Sequence, residues 1–203
     1  MDFQTYSFRH ADVILQQPEF KEKFNEFIDV IKGISDDHVI QAFEGANRRA
    51  KSISEAINKL LKERLAAKGW SPESPIFAVR EYAEKNWRLD FAGFHVSVEV
   101  AFNHGEAIAW NLIKPVLASE LNHVEKAIQT KIGIIICATD EMKQAGGFDS
   151  AVGEFEKFLR YLKPMQNILT VPILIIGLSK PKTFKIDHRT VNGKKIGEVV
   201  HLE

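Results

Sequence analysis

Cysteine is nearly absent: among 203 residues there is one, Cys137. A lone thiol cannot pair within the chain, and a cysteine-rich zinc site is excluded. Cys137 lies inside the apolar run Ile132–Ala138, where it reads as a small buried hydrophobe rather than a nucleophile. That run is the longest strongly apolar one and falls far short of the roughly 20 residues that cross a bilayer. The opening Met1-Asp2-Phe3-Gln4-Thr5 has neither the basic segment nor the apolar stretch of a secretory signal. A reducing, cytoplasmic setting without membrane contact is the expectation. Net charge is missing too, since 27 Lys and Arg balance 27 Asp and Glu. Proteins that coat DNA without sequence preference are usually basic, so that class is disfavoured. A sequence-specific enzyme can be neutral overall with its basic residues lining one cleft. No glycine cluster has phosphate-cradling spacing, and the seven histidines, His95 and His104 included, match no zinc spacing.

What is present describes an ordinary globular chain, 45% hydrophobic and of a length that suits one domain, residues 1–203, with 179–203 as a peripheral segment. The first third reads as helix. Phe20–Ile34 and Ser52–Ala67 place apolar residues at helical spacing. Ser52 and Glu55 form a Ser-x-x-Glu capping box for the second of these, and Gly69 is suited to close it. The polar stretch 45–51, with Asn47, Arg48 and Arg49, links the two.

The period then changes. Ile76–Val79 is a short strand candidate, and Trp87–Phe102 alternates, with Ala92-Gly93 suited to a hairpin turn or a bulge. Glu106–Ala127 reads as a long helix kinked at Pro115. Ile132–Ala138 and Val171–Leu178 read as buried strands with a helix over Asp149–Leu162 between them. The tail reads as a hairpin around Asn192-Gly193, and the terminal Leu202-Glu203 as an appended scar. The pattern predicts an α/β fold with a mixed central β-sheet and helices on both faces.

The chemistry concentrates on the first hairpin. Asp90 ends one strand, and Glu99 lies nine residues on, within the polar face of the next. Two carboxylates brought together suit a hard cation such as Mg²⁺, which takes oxygen ligands and retains waters, and the Val100 carbonyl could add another oxygen. An acidic pair on neighbouring strands is more often a solvated surface feature. Against that, Glu99 interrupts an apolar strand between Val98 and Val100, and a charge there needs a reason.

The run Leu89-Asp90-Phe91, followed by Val98-Glu99-Val100-Ala101-Phe102, resembles the active-site hairpin of the BglII-type restriction endonucleases, within the PD-(D/E)XK nuclease superfamily. Their pattern is Asp, eight residues, then Glu-Val-Gln-Phe. The resemblance extends to Tyr6 with His10–Leu15, to Lys62-Glu63-Arg64-Leu65 with Lys68 and Trp70, to Ser119-Glu120-Leu121 and to Val171-Pro172-Ile173, covering the chain to about Leu178.

It implies a homodimer that hydrolyses phosphodiester bonds in a palindromic duplex DNA site, often centred on GATC, using Mg²⁺ (Mn²⁺ as substitute), and paired in function with a DNA methyltransferase. Asp90 and Glu99 would be metal ligands, with the Val100 carbonyl. Glu73 matches a position near the metal, or is a loop surface charge. Asn103 and His104 follow the catalytic strand where the family approaches the bases, or are turn residues; Asn suits bidentate reading of adenine. Lys114 is a further DNA-contact candidate.

Position 101 departs from the family. Gln, Glu or Lys there orients the attacking water, and Ala101 cannot. Either the role has moved, to Glu106, Lys114 or Glu120, or the chain is a variant made inactive, or it is a DNA-binding relative without turnover. Loss of such help costs about a hundredfold or more. An unrelated α/β ligand-binding protein, which would bind neither duplex DNA nor metal at this pair, is the remaining reading.

Overall fold

The computed structural model describes residues 1–46, 50–120 and 123–202. Its centre is a six-stranded mixed sheet in the order β1-β6-β5-β4-β3-β2. Strands β1 (Phe3–Phe8), β2 (Ser71–Pro75), β3 (Arg88–Gly93), β4 (Val96–Val100), β5 (Ile132–Ala138) and β6 (Ile173–Leu178) compose it. β4, β5 and β6 run parallel, while β1, β2 and β3 join antiparallel. The central parallel strands are buried along nearly their whole length, which is why β5 and β6 are apolar runs dominated by Ile and Leu.

Helices cover both faces, as the sequence pattern implies. Alternate residues Val96, Val98, Ile134, Ile136 and Ile176 pack against α1 (Ala11–Leu15), α2 (Lys21–Lys32), α3 (Asp36–Glu44) and α4 (Ser54–Ala67). The other parity, Ile135, Cys137, Ile173 and Ile175, packs against α5 (Ile108–Ser119) and α7 (Phe155–Leu162). The short α6 (Asp140–Ala145) starts at Thr139, whose hydroxyl accepts from the Met142 N–H. The hairpin β7 (Phe184–Val191) and β8 (Lys194–His201) forms a separate two-stranded sheet. It buries Phe184 and Ile186 in the same cluster as the first face.

Several boundaries differ from the sequence reading. β1, α1, α3 and α6 are additional elements. β1 is an edge strand whose residues are largely exposed, so it carries no buried alternation to read. The Ser52–Glu55 capping box is absent: α4 begins at Ser54 with no side-chain cap, and the Ser52 hydroxyl instead meets that of Ser54 at 2.9 Å. A Ser35–His38 box caps α3. Gly69 does close α4, with φ of 86°.

The strand expected at Ile76–Val79 lies at β2 instead, leaving one bridge between Phe77 and Lys126. α5 ends at Ser119 rather than Ala127. α7 starts at Phe155, because the Asp149 carboxylate accepts from the Ala151 N–H and holds that segment in a turn. The Asn192-Gly193 hairpin forms as read, with φ of 51° and 74°. The Leu202 N–H bonds to the Thr183 carbonyl at 2.8 Å. Asn47, Arg48, Arg49, Leu121 and Glu203, named above, lie outside the described residues.

Candidate active site

The hairpin β3–β4 turns two residues later than Ala92-Gly93, at Phe94-His95. Both turn residues have positive φ, 52° and 61°, the type I′ geometry that matches strand twist but normally selects Asn and Gly. Phe94 is held there by packing edge-on against Trp70 at 5.5 Å and by the Lys23 ammonium, 4.9 Å over its ring. The position of the turn decides which residues face each other at the site. A turn at Ala92-Gly93 would set Asp90 opposite His95. The observed register pairs Phe91 with Val98, and its continuation sets Asp90 opposite Glu99. Directly opposed residues share one face of a sheet, so both carboxylates point the same way.

Glu99 is 2% exposed. Its Oε2 accepts from Lys114 Nζ at 2.6 Å, while Oε1 is buried with no hydrogen-bond partner among the described residues. Asp90 Oδ2 accepts from the Val100 N–H at 2.6 Å. Burial, and then the nearby Asp90 carboxylate, push Glu99 up from 4.5 to about 8, with Lys114 opposing. Asp90 is also raised, chiefly by burial, against the Val100 N–H and Lys114. With both carboxylates ionised, two carboxylates and one ammonium leave one excess negative charge, and one Glu99 oxygen is unsatisfied. That is a donor set with room for a hard cation, which binds through one or two carboxylates and completes its shell with water or phosphate. Among the described residues no group of three or more His, Cys, Asp or Glu is gathered closely enough to hold a metal by protein ligands alone.

Lys114 reaches this point because α5 presses closely on β5. Gly133 has no side chain, and a Cβ there would stand 2.7 Å from Pro115 Cβ. That contact seats the helix, and the residue before Pro115 turns its side chain to Glu99. Lys114 is therefore buried against the carboxylates rather than displayed on an open surface.

Glu73 lies across β3 from Asp90. The β2–β3 register pairs Pro72 with Phe91 and Ser74 with Leu89, so Glu73 falls opposite Asp90 and completes an acidic row over three strands. Its φ of 52° interrupts the pairing, and its side chain meets Lys62 at 3.6 Å. It still bears on Asp90 electrostatically. Such a conformation costs a non-glycine residue on the order of 1 kcal/mol or more and tends to mark functional positions.

Ala101 is buried in the apolar cluster of Ile108, Leu112 and Ile135. Asn103 and His104 are exposed just beyond β4. Asn111 Nδ2, on α5, approaches Asn103 Oδ1 at 3.5 Å, and the Asn103 carbonyl accepts from the Gly153 N–H. Glu106 and Glu120 are exposed beyond the two ends of α5. Glu106 lies in the 3-10 turn before α5 and Glu120 in the extended chain after it, each more than one helical turn from Lys114. Asn111 escaped the sequence reading, and Lys62 enters it only within the resembling helix, with no role at the site. Asn111 and Lys114 are the polar residues of α5 before Ser119, three apart and so on one face, which is a legible sign of a shared polar target.

The sequence profile described as Restriction endonuclease BglII/BglIII matches residues 3–178. No curated protein matches the chain. Among solved structures, the crystal structure of restriction endonuclease BglII complexed with a DNA 16-mer is similar at a TM-score of 0.68 and 18% identity, covering 100% of both chains. The crystal structure of free BglII is similar at 0.53 and 18%, again covering 100% of both. At that identity the structural likeness speaks for the fold, and the profile speaks for descent: the chain belongs to the BglII/BglIII family of restriction endonucleases.

Proposed function

We propose that this chain is a type II site-specific deoxyribonuclease. It acts as a homodimer on a short palindromic duplex site, GATC-centred by resemblance, and in the cell it is paired with a methyltransferase that protects that site. Residues 1–203 work as one cytoplasmic unit, with 179–203 at its periphery. Among the described residues no helix is long and apolar enough to cross a membrane.

The observation that carries the reading is the opposed Asp90–Glu99 pair, Glu99 buried and Asp90 half-buried, with the unpartnered Glu99 oxygen. Asp90, Glu99 and the Val100 carbonyl would hold Mg²⁺, or Mn²⁺ in its place. When bound, the ion would supply charge neutralisation at the scissile phosphate and a more acidic water. Burial of the pair keeps bulk water from competing for it and strengthens its hold on a cation. Glu73, next across the sheet, adds negative potential on the strand side. Asn103 and His104, exposed past β4, are placed to meet base edges, and Asn111 steadies the Asn103 amide. A phosphate entering the pocket would meet the Lys114 ammonium.

One observation favours a second reading, a relative that binds DNA with impaired turnover: the Ala101 side chain is walled by apolar residues. The deciding experiment is incubation with plasmid DNA in Mg²⁺ and in Mn²⁺, beside D90A. Discrete fragments that vanish in D90A are expected. Specific duplex binding without fragments would favour the second reading, and neither binding nor cutting would remove both.

A further inference from the structure

Resting on that nuclease reading, we infer that Lys114 does from helix α5 what a polar side chain at position 101 would do from strand β4: it holds the attacking water.

Three observations converge. The first is placement. The Lys114 ammonium is 2.6 Å from Glu99 Oε2, so it stands beside the oxygen atoms around which the reaction is organised. Glu106 and Glu120 lie at the far ends of the same helix. The charges that weigh on Glu99 are Asp90 and Lys114, not those two.

The second is capacity. An ammonium has three N–H donors, and Glu99 Oε2 is its one hydrogen-bond acceptor among the described residues. Two donors remain for a water or a phosphate oxygen. Lys114 is buried on α5, so the head is held without being used up.

The third is sign. A third carboxylate would add to an existing excess of negative charge in a buried pocket, whereas an ammonium offsets it. Ala101 has no polar side-chain atom to hold a water, and it is buried in the same apolar cluster as Ile108, Leu112 and Ile135. The close approach of α5 at Gly133 seats Lys114 beside Glu99, two residues before Ala101 in the chain. The helix delivers a donor to the place where the strand no longer offers one.

The test uses the whole protein and separates binding from turnover. Wild type, K114M and K114R are compared in single-turnover cleavage with Mg²⁺, in Mn²⁺ titration followed by electron paramagnetic resonance at pH 8.5, and in duplex binding with Ca²⁺. K114M is expected to lose cleavage by about 10²-fold or more, while Mn²⁺ and DNA affinities stay within about tenfold of wild type. A lysine that merely braced the fold would lose all three together, and that result would overturn the inference. So would K114M cutting within threefold of wild type, with the nuclease reading left intact. Wild type that fails to cut at all would sink the nuclease reading itself. Should K114M not fold, K114R carries the test, since it retains a cation beside Glu99 while its planar fork sets its N–H donors at positions other than that of Nζ. A rate of K114R equal to wild type would refute the assignment, and a fall of about tenfold or more would sustain it.

Discussion

Two hairpins in this chain turn through the same backbone geometry and have opposite relations to their sequence. β7–β8 turns at Asn192-Gly193 and β3–β4 at Phe94-His95, each with two consecutive positive φ angles. The first uses residues that tolerate the conformation, and its register could be written down from the sequence. The second imposes the conformation on a phenylalanine and a histidine. Its register is set from outside, by burial of both faces of β4, by pairing with β5, and by Phe94 against Trp70. The hairpin that obeys local turn rules is structural trim. The one that breaks them carries the two carboxylates. Strain at a turn can be tolerated where tertiary packing fixes the register, and here the register sets Asp90 opposite Glu99.

The largest effect should come from breaking that register. One glycine inserted within β4, between Val98 and Glu99, moves Glu99 along by one position, and a slip of one residue sends side chains to the opposite face. Asp90 and Glu99 would no longer share a face, and cleavage should fall by at least about 10²-fold, the scale of a misplacement near 1 Å. The same insertion between Asn192 and Gly193 should leave the rate within about twofold. Equal effects of the two insertions on the cleavage rate would show that the contrast between the hairpins has no bearing on the site.

The same contrast explains what could be read in advance. Glu99 was conspicuous because a charge inside Val98-Glu99-Val100 needs a reason, and the alternation around it marked its strand. The strands β5 and β6 announced themselves as β-branched runs, and so did the sheet with helices on two faces. Phe94-His95 was illegible because local preference points instead to Ala92-Gly93; only packing with Trp70 and Lys23 decides otherwise. β1 was illegible because an exposed edge strand has little burial to pattern it. Lys114 could be named as a candidate from its place after Ala101. Its partner depends on how deeply α5 settles onto Gly133, which is a three-dimensional fact. Glu73 similarly gains its meaning from the register of β2, a strand that begins Ser-Pro and has weak strand preference.

A second effect of the buried hairpin is a dependence of stability on pH. Glu99 ionises near 4.5 when unfolded and at about 8 when folded. Below pH 4.5 it is protonated in both states and costs nothing. Between about 4.5 and 8 the folded protein holds a proton that the unfolded chain releases, so stability falls as pH rises. Above about 8 the loss is complete. Asp90, raised in the same direction by burial, adds to the fall. Exposed Asp149, held down to about 2, acts below pH 4 and outside this window. In a chelator, the melting temperature should therefore drop between pH 5 and 8, and E99Q should flatten the curve. Mg²⁺ should raise the melting temperature more at pH 8 than at pH 5. A melting curve of the wild type that is level or rising across this window would contradict the burial assigned to Glu99.

The smallest effects lie in the turns themselves, and they have opposite signs. Gly193 has φ of 74° and open space around it, so G193A meets no clash but strains its backbone, a loss of about 1 kcal/mol. His95 is exposed and holds φ of 61°. H95G removes that strain, and the gain is reduced by the greater freedom of glycine in the unfolded chain. A net stabilisation of up to about 1 kcal/mol is expected, read as a shift in denaturation midpoint with unchanged slope. Phe94 cannot be treated the same way, because F94G would relieve strain while removing the ring from Trp70, and the lost packing is worth more than the turn. If H95G destabilises the protein, the histidine is making a contact worth more than its strain. The site hairpin would then owe its turn to His95 as well as to Phe94.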